Sequence, residues 1–382
     1  MKFVRLKSSR PCRVLSGHPW AFAGEIDRQN QKLEDGDCVE LRDVRGRSLG
    51  SGLWSNRSQI AWRRYAREMR LFDRKFLREA LSSAVSRRSP GQYRRLVWSE
   101  ADHLPGLVVD QFDRAIVVQV LTAGMACAQN EIALWLKDNL SPREIIFRND
   151  AASRQYDGLE LEVHTESGDP FVPDWFNIEG VEYFLDLSGG QKTGFYLDQR
   201  EQHLQVAKYA HGRRALDGFC NQGGFSLQMA RAGAASVEGI DSSEECVTAA
   251  ARNAERNKLA AKFTRANMFD WFTENRTQKF DLIVLDPPPF AKNKEAMAGA
   301  MRGYKELNLR ALRLLNPGGI LATYSCSQRV STSDFLAMLG DAAADAKREA
   351  RVLEITGQPS DHPVLLNFPE SHYLKGAILQ AE

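Results

Sequence analysis

Apolar strand-like runs alternate with amphipathic helical patterns from about residue 191 to the end of the chain. The strand-like runs cover residues 213–219, 236–240, 262–266, 280–285 and 319–324, and helical patterns cover residues 199–210, 225–231 and 243–257. Strands that alternate with helices of this length form βαβ units and build an open parallel sheet. Because parallel strands end at one edge of such a sheet, we expect the ligand-binding residues directly after the strands.

A glycine-rich turn follows the first strand-like run. Residues 216–225 read LDGFCNQGGF, and glycines here let the backbone approach a ligand closely before a helix begins. The spacing does not match the dinucleotide pattern G-x-G-x-x-G, and no phosphate-loop Gly-Lys-Ser/Thr follows. Tight packing of a strand against a helix also uses such a turn, so the turn by itself leaves ligand binding and packing open.

Two further strand ends carry side chains suited to adenosine. The second strand ends at Asp241, 17 residues after Gly224, where a carboxylate accepts hydrogen bonds from ribose hydroxyls. The third strand is followed by Asn267, Met268 and Phe269, which offer an amide to an adenine edge and apolar groups to its face. Because the glycine turn lacks the pyrophosphate spacing, this combination favours S-adenosylmethionine over a nicotinamide dinucleotide.

The fourth and fifth strand ends indicate catalysis. Asp286 begins the run DPPPF, whose prolines fix φ and hold a rigid loop where a substrate base would meet a methyl donor. Cys326 follows the fifth strand and lies between two serines. A cysteine in this position can act as an attacking thiolate. Cysteines are also common as small buried apolar residues, so position alone leaves both roles open.

The first part of the chain reads as two smaller regions. Residues 37–42, 47–54 and 59–65 have strand-like patterns with glycine turns and predict a small β-rich module over residues 1–70. A helical pattern at about residues 72–85 then precedes strands at 94–98, 107–110 and 115–121 and a helix at 126–139. These patterns predict a compact α+β region over residues 71–186.

Charge is distributed unevenly between these regions. Residues 1–100 hold 22 Lys and Arg against 11 Asp and Glu, a net +11, whereas the remaining 282 residues hold 29 against 38, a net −9. The basic N-terminal stretch, residues 1–100, indicates either a polyanionic partner or a solvated basic domain. Trp54, Trp62 and Tyr65 lie among the basic residues and can stack on unpaired bases, although we expect core packing for at least two of them.

Other classes of protein are excluded by composition. No apolar run is long enough to cross a membrane, and the N-terminus lacks the apolar stretch of a signal peptide, so we expect a cytoplasmic protein. Six cysteines without a C-x-x-C pair argue against a disulfide framework and a zinc site.

Together these motifs resemble the RlmI-like family of 23S (large-subunit) ribosomal RNA 5-methylcytosine methyltransferases. The resemblance rests on residues 217–225, 286–290 and 325–327, and most specifically on the run QKTGFYLDQR at residues 191–200. It extends to GHPW at residues 17–20 and SEADHLPGLVVD at residues 99–110, and so spans essentially the whole chain.

The resemblance implies an α/β fold with a class I, Rossmann-like methyltransferase domain over residues 187–382. A small β-rich, PUA-like RNA-binding domain over residues 1–70 and a central α+β domain over residues 71–186 would precede it. The implied activity is methyl transfer from S-adenosylmethionine to carbon 5 of a cytosine in 23S ribosomal RNA, through a covalent cysteine adduct. The RNA would be naked or part of an assembly intermediate, and the many β edges are compatible with a homodimer.

Carried over residue by residue, the family pattern makes Cys326 the nucleophile and Asp286 the residue that engages the target base. The implied cofactor-binding residues are Phe195, Arg200, Asp217, Gly218, Phe219, Cys220, Asn221, Gly223, Gly224, Asp241, Ser242, Asn267, Met268, Phe269 and Asp286. No metal is implied. The family commonly has aspartate at the position of Asn267, so we expect altered cofactor affinity there and not lost binding.

Two alternatives remain at this point. An RNA methyltransferase acting on a purine nitrogen also uses an Asn/Asp-Pro-Pro-aromatic loop, but it needs no cysteine. A non-catalytic RNA-binding assembly factor could keep the fold, although the complete set of Asp217, Asp241, Asp286 and Cys326 argues against it. A nicotinamide-dependent dehydrogenase is excluded by the glycine spacing.

Overall fold

The chain divides into two compact units in a computed structural model that describes residues 1–8, 12–189, 193–290 and 297–382. The first unit comprises Met1–Asp174, Leu185–Leu197 and Ser360–Ser371; the second comprises Trp175–Phe184, Asp198–Pro359 and His372–Glu382. Gln191 and Lys192 of the QKTGFYLDQR run lie outside the described residues. The β-rich module and most of the α+β region belong to the first unit, whereas Trp175–Phe184 of the α+β region belong to the second. The division into separate domains stays a prediction.

The β-rich module is a six-stranded sheet. Its strands are β1 (Lys2–Leu6), β2 (Trp20–Ala21), β3 (Ile26–Asp27), β4 (Cys38–Arg42), β5 (Ser48–Trp54) and β6 (Trp62–Ala66), in the order β2-β6-β5-β4-β1-β3. Strands β1 and β4 are parallel, and the other neighbours are antiparallel. Alternating side chains such as Val4, Leu6, Val39 and Leu41 are buried, because every second residue of a strand faces the core.

Three aromatic residues of this module pack in its core. Trp54, Trp62 and Tyr65 are each no more than 1% exposed, and the Trp62 indole Nε1 donates to the Val39 carbonyl at 2.9 Å. A buried ring has no face to offer an RNA base, so the proposal that these residues stack on unpaired bases is wrong and core packing holds for all three.

The α+β region follows in the same unit. Its elements are α1 (Arg74–Ser86), β7 (Tyr93–Trp98), β8 (Leu107–Phe112), β9 (Ala115–Val120), α2 (Ala123–Cys127), α3 (Gln129–Leu140), β10 (Glu144–Asn149) and β11 (Glu162–Thr165), with the sheet in the order β11-β10-β9-β8-β7. Helix α1 starts at Arg74 because the Asp73 carboxylate accepts from the Phe76 N–H at 2.8 Å. The single helix predicted at residues 126–139 is two helices that meet at Ala128, a break that apolar periodicity does not reveal.

A buried carboxylate holds two arginines together in the first unit. Asp102 is 1% exposed and accepts from Arg88 Nη1 and Arg87 Nη2, both at 2.8 Å, and from the Trp98 N–H at 2.6 Å. Arg88 is itself buried. Removing one partner of a buried pair leaves the other charge without compensation, which is strongly destabilising.

Asp102→Ala should therefore lower the free energy of unfolding by about 3–5 kcal/mol. Asp138→Ala is the control, because Asp138 pairs with Arg78 at the exposed surface and its loss should change stability by less than about 1 kcal/mol. Chemical denaturation followed by tryptophan fluorescence measures both values. Equal stability of the two variants would contradict this account.

The second unit begins with a hairpin and continues as alternating helices and strands. Its elements are β12 (Asp174–Ile178), β13 (Val181–Leu185), α4 (Arg200–Ala207), β14 (Arg214–Gly218), α5 (Gly224–Arg231), β15 (Ser236–Asp241), α6 (Glu244–Arg256), β16 (Lys262–Arg265), α7 (Met268–Glu274), β17 (Phe280–Leu285), α8 (Met297–Leu314), β18 (Leu315–Ser325), α9 (Thr332–Ala346), β19 (Ala350–Gly357) and β20 (Lys375–Ala381). In the described residues of the two units together, short 3-10 helices cover Arg13–Ser16, Ala23–Glu25, Ser99–Asp102, Ala152–Asp157, Leu197–Gln199 and Pro369–Ser371.

Seven strands of this unit form one sheet in the order β16-β15-β14-β17-β18-β20-β19. The predicted parallel sheet is correct for β14 to β18, which all run in one direction. It is wrong at the far edge, because β20 enters between β18 and β19 and is antiparallel to both. Hydrophobic patterns report burial and not strand direction, so they do not predict this insertion.

Both faces of the sheet are covered by apolar side chains. Trp271, Phe272 and Phe335 belong to the core on one side, and Phe225 and Met229 belong to a second buried cluster. Burial on both faces explains why the strands read as nearly continuous apolar runs. Among the described residues, none of the helices combines the length and the apolar character needed to cross a membrane.

Candidate active site

Strand order reverses at β14, which lies between β15 and β17. Open α/β sheets bind ligands at such a reversal, beyond the carboxyl ends of the strands. The backbone joins neighbouring loops there: the N–H groups of Phe219 and Cys220 donate to the Ile240 carbonyl at 2.8 and 3.0 Å, and the Asp286 N–H donates to the Gly218 carbonyl at 3.3 Å. The structure therefore brings the predicted strand-end motifs to one edge of the sheet.

Asp217 is a fully buried carboxylate near the end of β14. Its Oδ2 accepts from the Ser226 N–H at 2.9 Å and from the Ser226 hydroxyl at 2.6 Å, whereas its Oδ1 is buried with no hydrogen-bond partner among the described residues. Burial raises the pKa of this carboxyl to about 7, and the negative charges of Asp286 and Asp241 act in the same direction. The site thus holds a buried acceptor that a cationic donor would satisfy.

The glycines of the turn are required by its geometry. Gly223 has φ +88°, in the left-handed region that disfavours residues with a side chain. A Cβ at Gly224 would lie 2.5 Å from the ring of His203, which packs edge-on against Phe225. Burial lowers the pKa of His203 to about 3, so this ring is neutral and acts as packing at the base of the turn.

Asp241 ends β15 and is fixed from two sides. Its Oδ2 accepts from the Asn221 N–H of the glycine turn at 3.0 Å, and its Oδ1 accepts from the Ser243 N–H at 2.9 Å. Asp241 is only half-buried. Each carboxylate oxygen has a second lone pair, so both remain able to accept from a ribose hydroxyl.

Asn267 has a structural role in addition to the one predicted. Its Oδ1 accepts from the Phe269 N–H at 2.9 Å and caps helix α7. Asparagine and aspartate cap helices about equally well, which explains how this chain carries an amide at a position where the family commonly has aspartate. Met268 is buried in the core beside Gly218, whereas Phe269 is half-buried.

The other predicted cofactor residues have different surroundings. Arg200 begins α4, and its Nη1 lies 3.5 Å from the Glu179 carboxylate. Cys220 is buried, and burial raises the pKa of its thiol well above the usual range. Ser242 is exposed. Phe195 is buried and belongs to the first compact unit, whereas the rest belong to the second. Their roles toward a cofactor stay predictions.

The two predicted catalytic residues lie on neighbouring loops. Cys326 is half-buried directly after β18, and its Sγ is 3.9 Å from the Pro287 carbonyl oxygen. Asp286, which precedes that proline, is also half-buried. Tyr304 of α8 shares a 2.9 Å hydrogen bond with the Ser327 hydroxyl, and its buried ring fixes the residue that follows the cysteine.

Lys375 is a component of this region that the motifs did not identify. It is the first residue of β20, is 1% exposed, and pairs with Ser325 in the sheet. Its Nζ donates to the Ser327 carbonyl at 2.6 Å and to the Tyr373 carbonyl at 2.9 Å. The available signal was a single lysine at the start of the mostly apolar run KGAILQA, because a lysine in a buried strand is unusual.

Comparisons with known proteins agree with this architecture. Residues 4–67 match a PUA-like domain, and residues 210–361 match a methyltransferase domain. A curated relative from Tolumonas auensis, named Ribosomal RNA large subunit methyltransferase I, is 39% identical over 394 aligned positions and covers 99% of each chain. A relative of the same name from an Enterobacter species is 37% identical over 97% of each chain. The chain belongs to the ribosomal RNA large subunit methyltransferase I family.

Solved structures support the same fold for this member of the methyltransferase I family. A putative S-adenosylmethionine-dependent methyltransferase from Streptococcus mutans has a TM-score of 0.83 at 17% identity, with complete coverage of both chains. A putative methyltransferase complexed with SAH also has a TM-score of 0.83, at 19% identity and complete coverage. The predicted Rossmann-like methyltransferase fold and its PUA-like domain are confirmed.

The cofactor of this chain is S-adenosylmethionine, as the sequence predicted. One direct observation indicates that the residues of the site fit this cofactor. Asp217 Oδ1 is a buried acceptor without a partner among the described residues, and the methionine part of the cofactor carries an ammonium donor. An ammonium beside this carboxylate favours its ionised form.

Asp217→Asn should weaken S-adenosylmethionine binding at least about tenfold while it stabilises the fold. Because the folded-state pKa is raised to about 7, ionisation of Asp217 destabilises the fold as pH rises from about 4 to 7, by about 1.4 kcal/mol per unit at most. The variant should thus melt at a higher temperature than the wild type at about pH 8, with a smaller gain at about pH 5.

Asp281→Asn is the matched control for this substitution. The Asp281 carboxylate accepts from Asn316 Nδ2 at 2.8 Å and from the Arg214 N–H at 3.0 Å, and these bonds lower its pKa. This control should lose stability at about pH 8 and keep cofactor affinity. Calorimetric titration and thermal melts measure both properties. Unchanged affinity of Asp217→Asn would show that this carboxylate does not contact the cofactor.

Proposed function

We propose that this enzyme transfers a methyl group from S-adenosylmethionine to carbon 5 of a cytosine in large-subunit ribosomal RNA, through a covalent adduct on Cys326. The observation that carries the proposal is the placement of the Cys326 Sγ 3.9 Å from the Pro287 carbonyl, beside the Asp286 loop. The choice of RNA is supported by the names of the curated relatives, which are large-subunit ribosomal RNA methyltransferases.

The glycine turn and the neighbouring strand ends would hold the cofactor. Asp217 would accept from its ammonium group, Asp241 from its ribose hydroxyls, and Asn267 would pair with the adenine edge. Phe269 is half-buried and can contact the adenine face. These assignments place the methyl donor at the edge of the sheet from which the Asp286 and Cys326 loops also leave.

Covalent catalysis is needed because carbon 5 of cytosine is a weak nucleophile. The Cys326 thiolate adds to carbon 6, the π electrons of the C5–C6 bond shift toward C4 and N3, and N3 gains a proton. Carbon 5 of the adduct would then form a bond to the methyl group that bound S-adenosylmethionine supplies, as the S–CH3 bond breaks and S-adenosylhomocysteine remains. A base then takes the carbon 5 proton, the C5–C6 double bond re-forms, the S–C6 bond breaks, and N3 releases its proton.

Asp286 is proposed to act on the same ring. Its side chain would supply the proton to N3 or accept a hydrogen bond from the exocyclic amine, and either contact stabilises the adduct. The prolines after it fix the loop backbone, and Pro287 is buried while Pro288 and Pro289 are exposed. The base must leave its stack to reach both groups, at a cost of a few kcal/mol that pocket contacts offset.

RNA binding is assigned to the basic first part of the chain. Residues 1–100 carry a net charge of +11, and Lys7, Arg28, Arg45, Arg57 and Arg67 are exposed in the PUA-like module. Because Trp54, Trp62 and Tyr65 are buried, contacts to phosphate are the favoured mode, and binding should weaken steeply as salt rises. Naked RNA and an assembly intermediate both remain compatible with this mode.

Cys326→Ala should abolish turnover and leave S-adenosylmethionine binding unchanged, because the thiolate is required for addition to carbon 6 and not for holding the cofactor. The exposed Cys127 supplies the control: Cys127→Ala should retain wild-type activity. Methyl transfer to ribosomal RNA and calorimetric titration measure the two properties. Wild-type-like activity of Cys326→Ala would exclude the adduct and favour methylation of a purine nitrogen.

RNA that contains 5-fluorocytidine provides a second test of the adduct. Fluorine at carbon 5 cannot leave as a proton does, so the reaction should stop at the covalent complex after methyl transfer. The wild type should form a complex stable to denaturation, with the RNA attached to the Cys326 peptide, and Cys326→Ala should form none. Absence of the complex in the wild type would contradict the mechanism.

A further inference from the structure

A lysine ammonium is buried beside the cysteine of the active site. Lys375 is 1% exposed, and the described contacts of its Nζ are the backbone carbonyls of Ser327 and Tyr373, at 2.6 and 2.9 Å. Two neutral carbonyls compensate a buried charge only in part, and burial accordingly lowers the pKa of Lys375 to about 8. Such a group is costly to the fold unless an anion is held near it.

Cys326 is the group placed to be that anion. Lys375 is directly opposite Ser325 in the β18–β20 pairing, and it donates to the carbonyl of Ser327, so it contacts the chain on both sides of the cysteine. The electrostatic interaction between the two side chains favours the charged form of the lysine, and it must favour the thiolate by the same amount.

The neighbouring titratable groups Tyr304, His372 and Asp286 do not supply the positive charge that would favour a thiolate. Burial raises the pKa of Tyr304 on α8, so its hydroxyl is neutral. Burial and the charge of Lys375 lower the pKa of His372, so this ring is neutral near pH 7. Asp286, on the loop after β17, is an acidic residue, and its charged form would oppose a thiolate. Among these groups Lys375 supplies the positive charge.

We propose that Lys375 is a positioning residue of the methyltransferase site: its buried ammonium holds Cys326 as a thiolate and, through the Ser327 carbonyl, fixes the segment that carries it. The catalytic role of this thiolate rests on the proposed function. The thiol proton passes to solvent, and the lysine keeps its three protons throughout. Because a nearby positive charge favours the thiolate over the thiol, Cys326 should be reactive near neutral pH.

The proposal is tested by the pH dependence of Cys326 alkylation. Wild type and Lys375→Met are treated with iodoacetamide from about pH 5.5 to about pH 9.5, and modification of the Cys326 peptide is measured by mass spectrometry. The wild-type midpoint should lie at least about one pH unit below that of Lys375→Met, which means about tenfold faster alkylation near pH 7. Coincident midpoints, with S-adenosylmethionine binding intact in both proteins, would overturn the proposal.

Two further measurements keep the test independent of folding defects. Lys305→Met removes a lysine paired with Asp345 at the surface, at 2.8 Å, and should leave the midpoint unchanged. The wild type alone is also informative: a midpoint clearly below the ordinary thiol value of about 8.5 supports the proposal, and a midpoint at or above it overturns the proposal even if Lys375→Met does not fold.

Failure of this inference can be distinguished from failure of the proposed function. Alkylation measures the ionisation of Cys326 and requires neither RNA nor methyl transfer. If Cys326→Ala stays active while the wild-type midpoint is low, the adduct mechanism is wrong and the lysine–cysteine interaction stands. If the 5-fluorocytidine complex forms while the two midpoints coincide, the adduct stands and the role of Lys375 is wrong.

Discussion

The common direction of strands β14 to β18 is the constraint on which the active site depends. Parallel strands place their carboxyl ends at one edge of the sheet, so residues separated by more than 100 positions, such as Asp217 and Cys326, leave from the same edge. Reversal of strand order at β14 opens the binding edge between β15 and β17. Most of the proposed cofactor residues lie at or directly after the ends of β14 to β16, and the proposed catalytic residues follow β17 and β18.

Two buried ionisable groups with shifted pKa values lie at this edge of the sheet. Asp217 has a pKa raised to about 7 and an oxygen without a partner among the described residues, and Lys375 has a pKa lowered to about 8. Both groups destabilise the fold in their charged forms. The proposed roles would compensate each charge: the ammonium of the cofactor would lie beside Asp217, and the thiolate of Cys326 beside Lys375.

The sequence predicted the part of the site that local patterns encode. Glycines, acids, prolines and a cysteine directly after apolar runs indicated the strand ends, and helices α5 and α6 begin and end within a residue of their predicted limits. Lys375 could not be found in this way, because it lies opposite Ser325 only when β20 inserts antiparallel between β18 and β19. Nor does a pattern show that Asn267 caps a helix or that Trp54 and Trp62 face inward. A homodimer and the division into three domains stay predictions.

The identity of the methylated nucleoside tests the central claim most directly. Wild-type enzyme, S-adenosylmethionine with a labelled methyl group and unmodified large-subunit ribosomal RNA are incubated, and the RNA is digested to nucleosides and resolved by mass. The account predicts label in 5-methylcytidine. Label in a methylated purine would contradict cytosine chemistry and reduce Cys326 to a packing residue, and absence of label from an enzyme shown to bind its cofactor would contradict the proposed substrate.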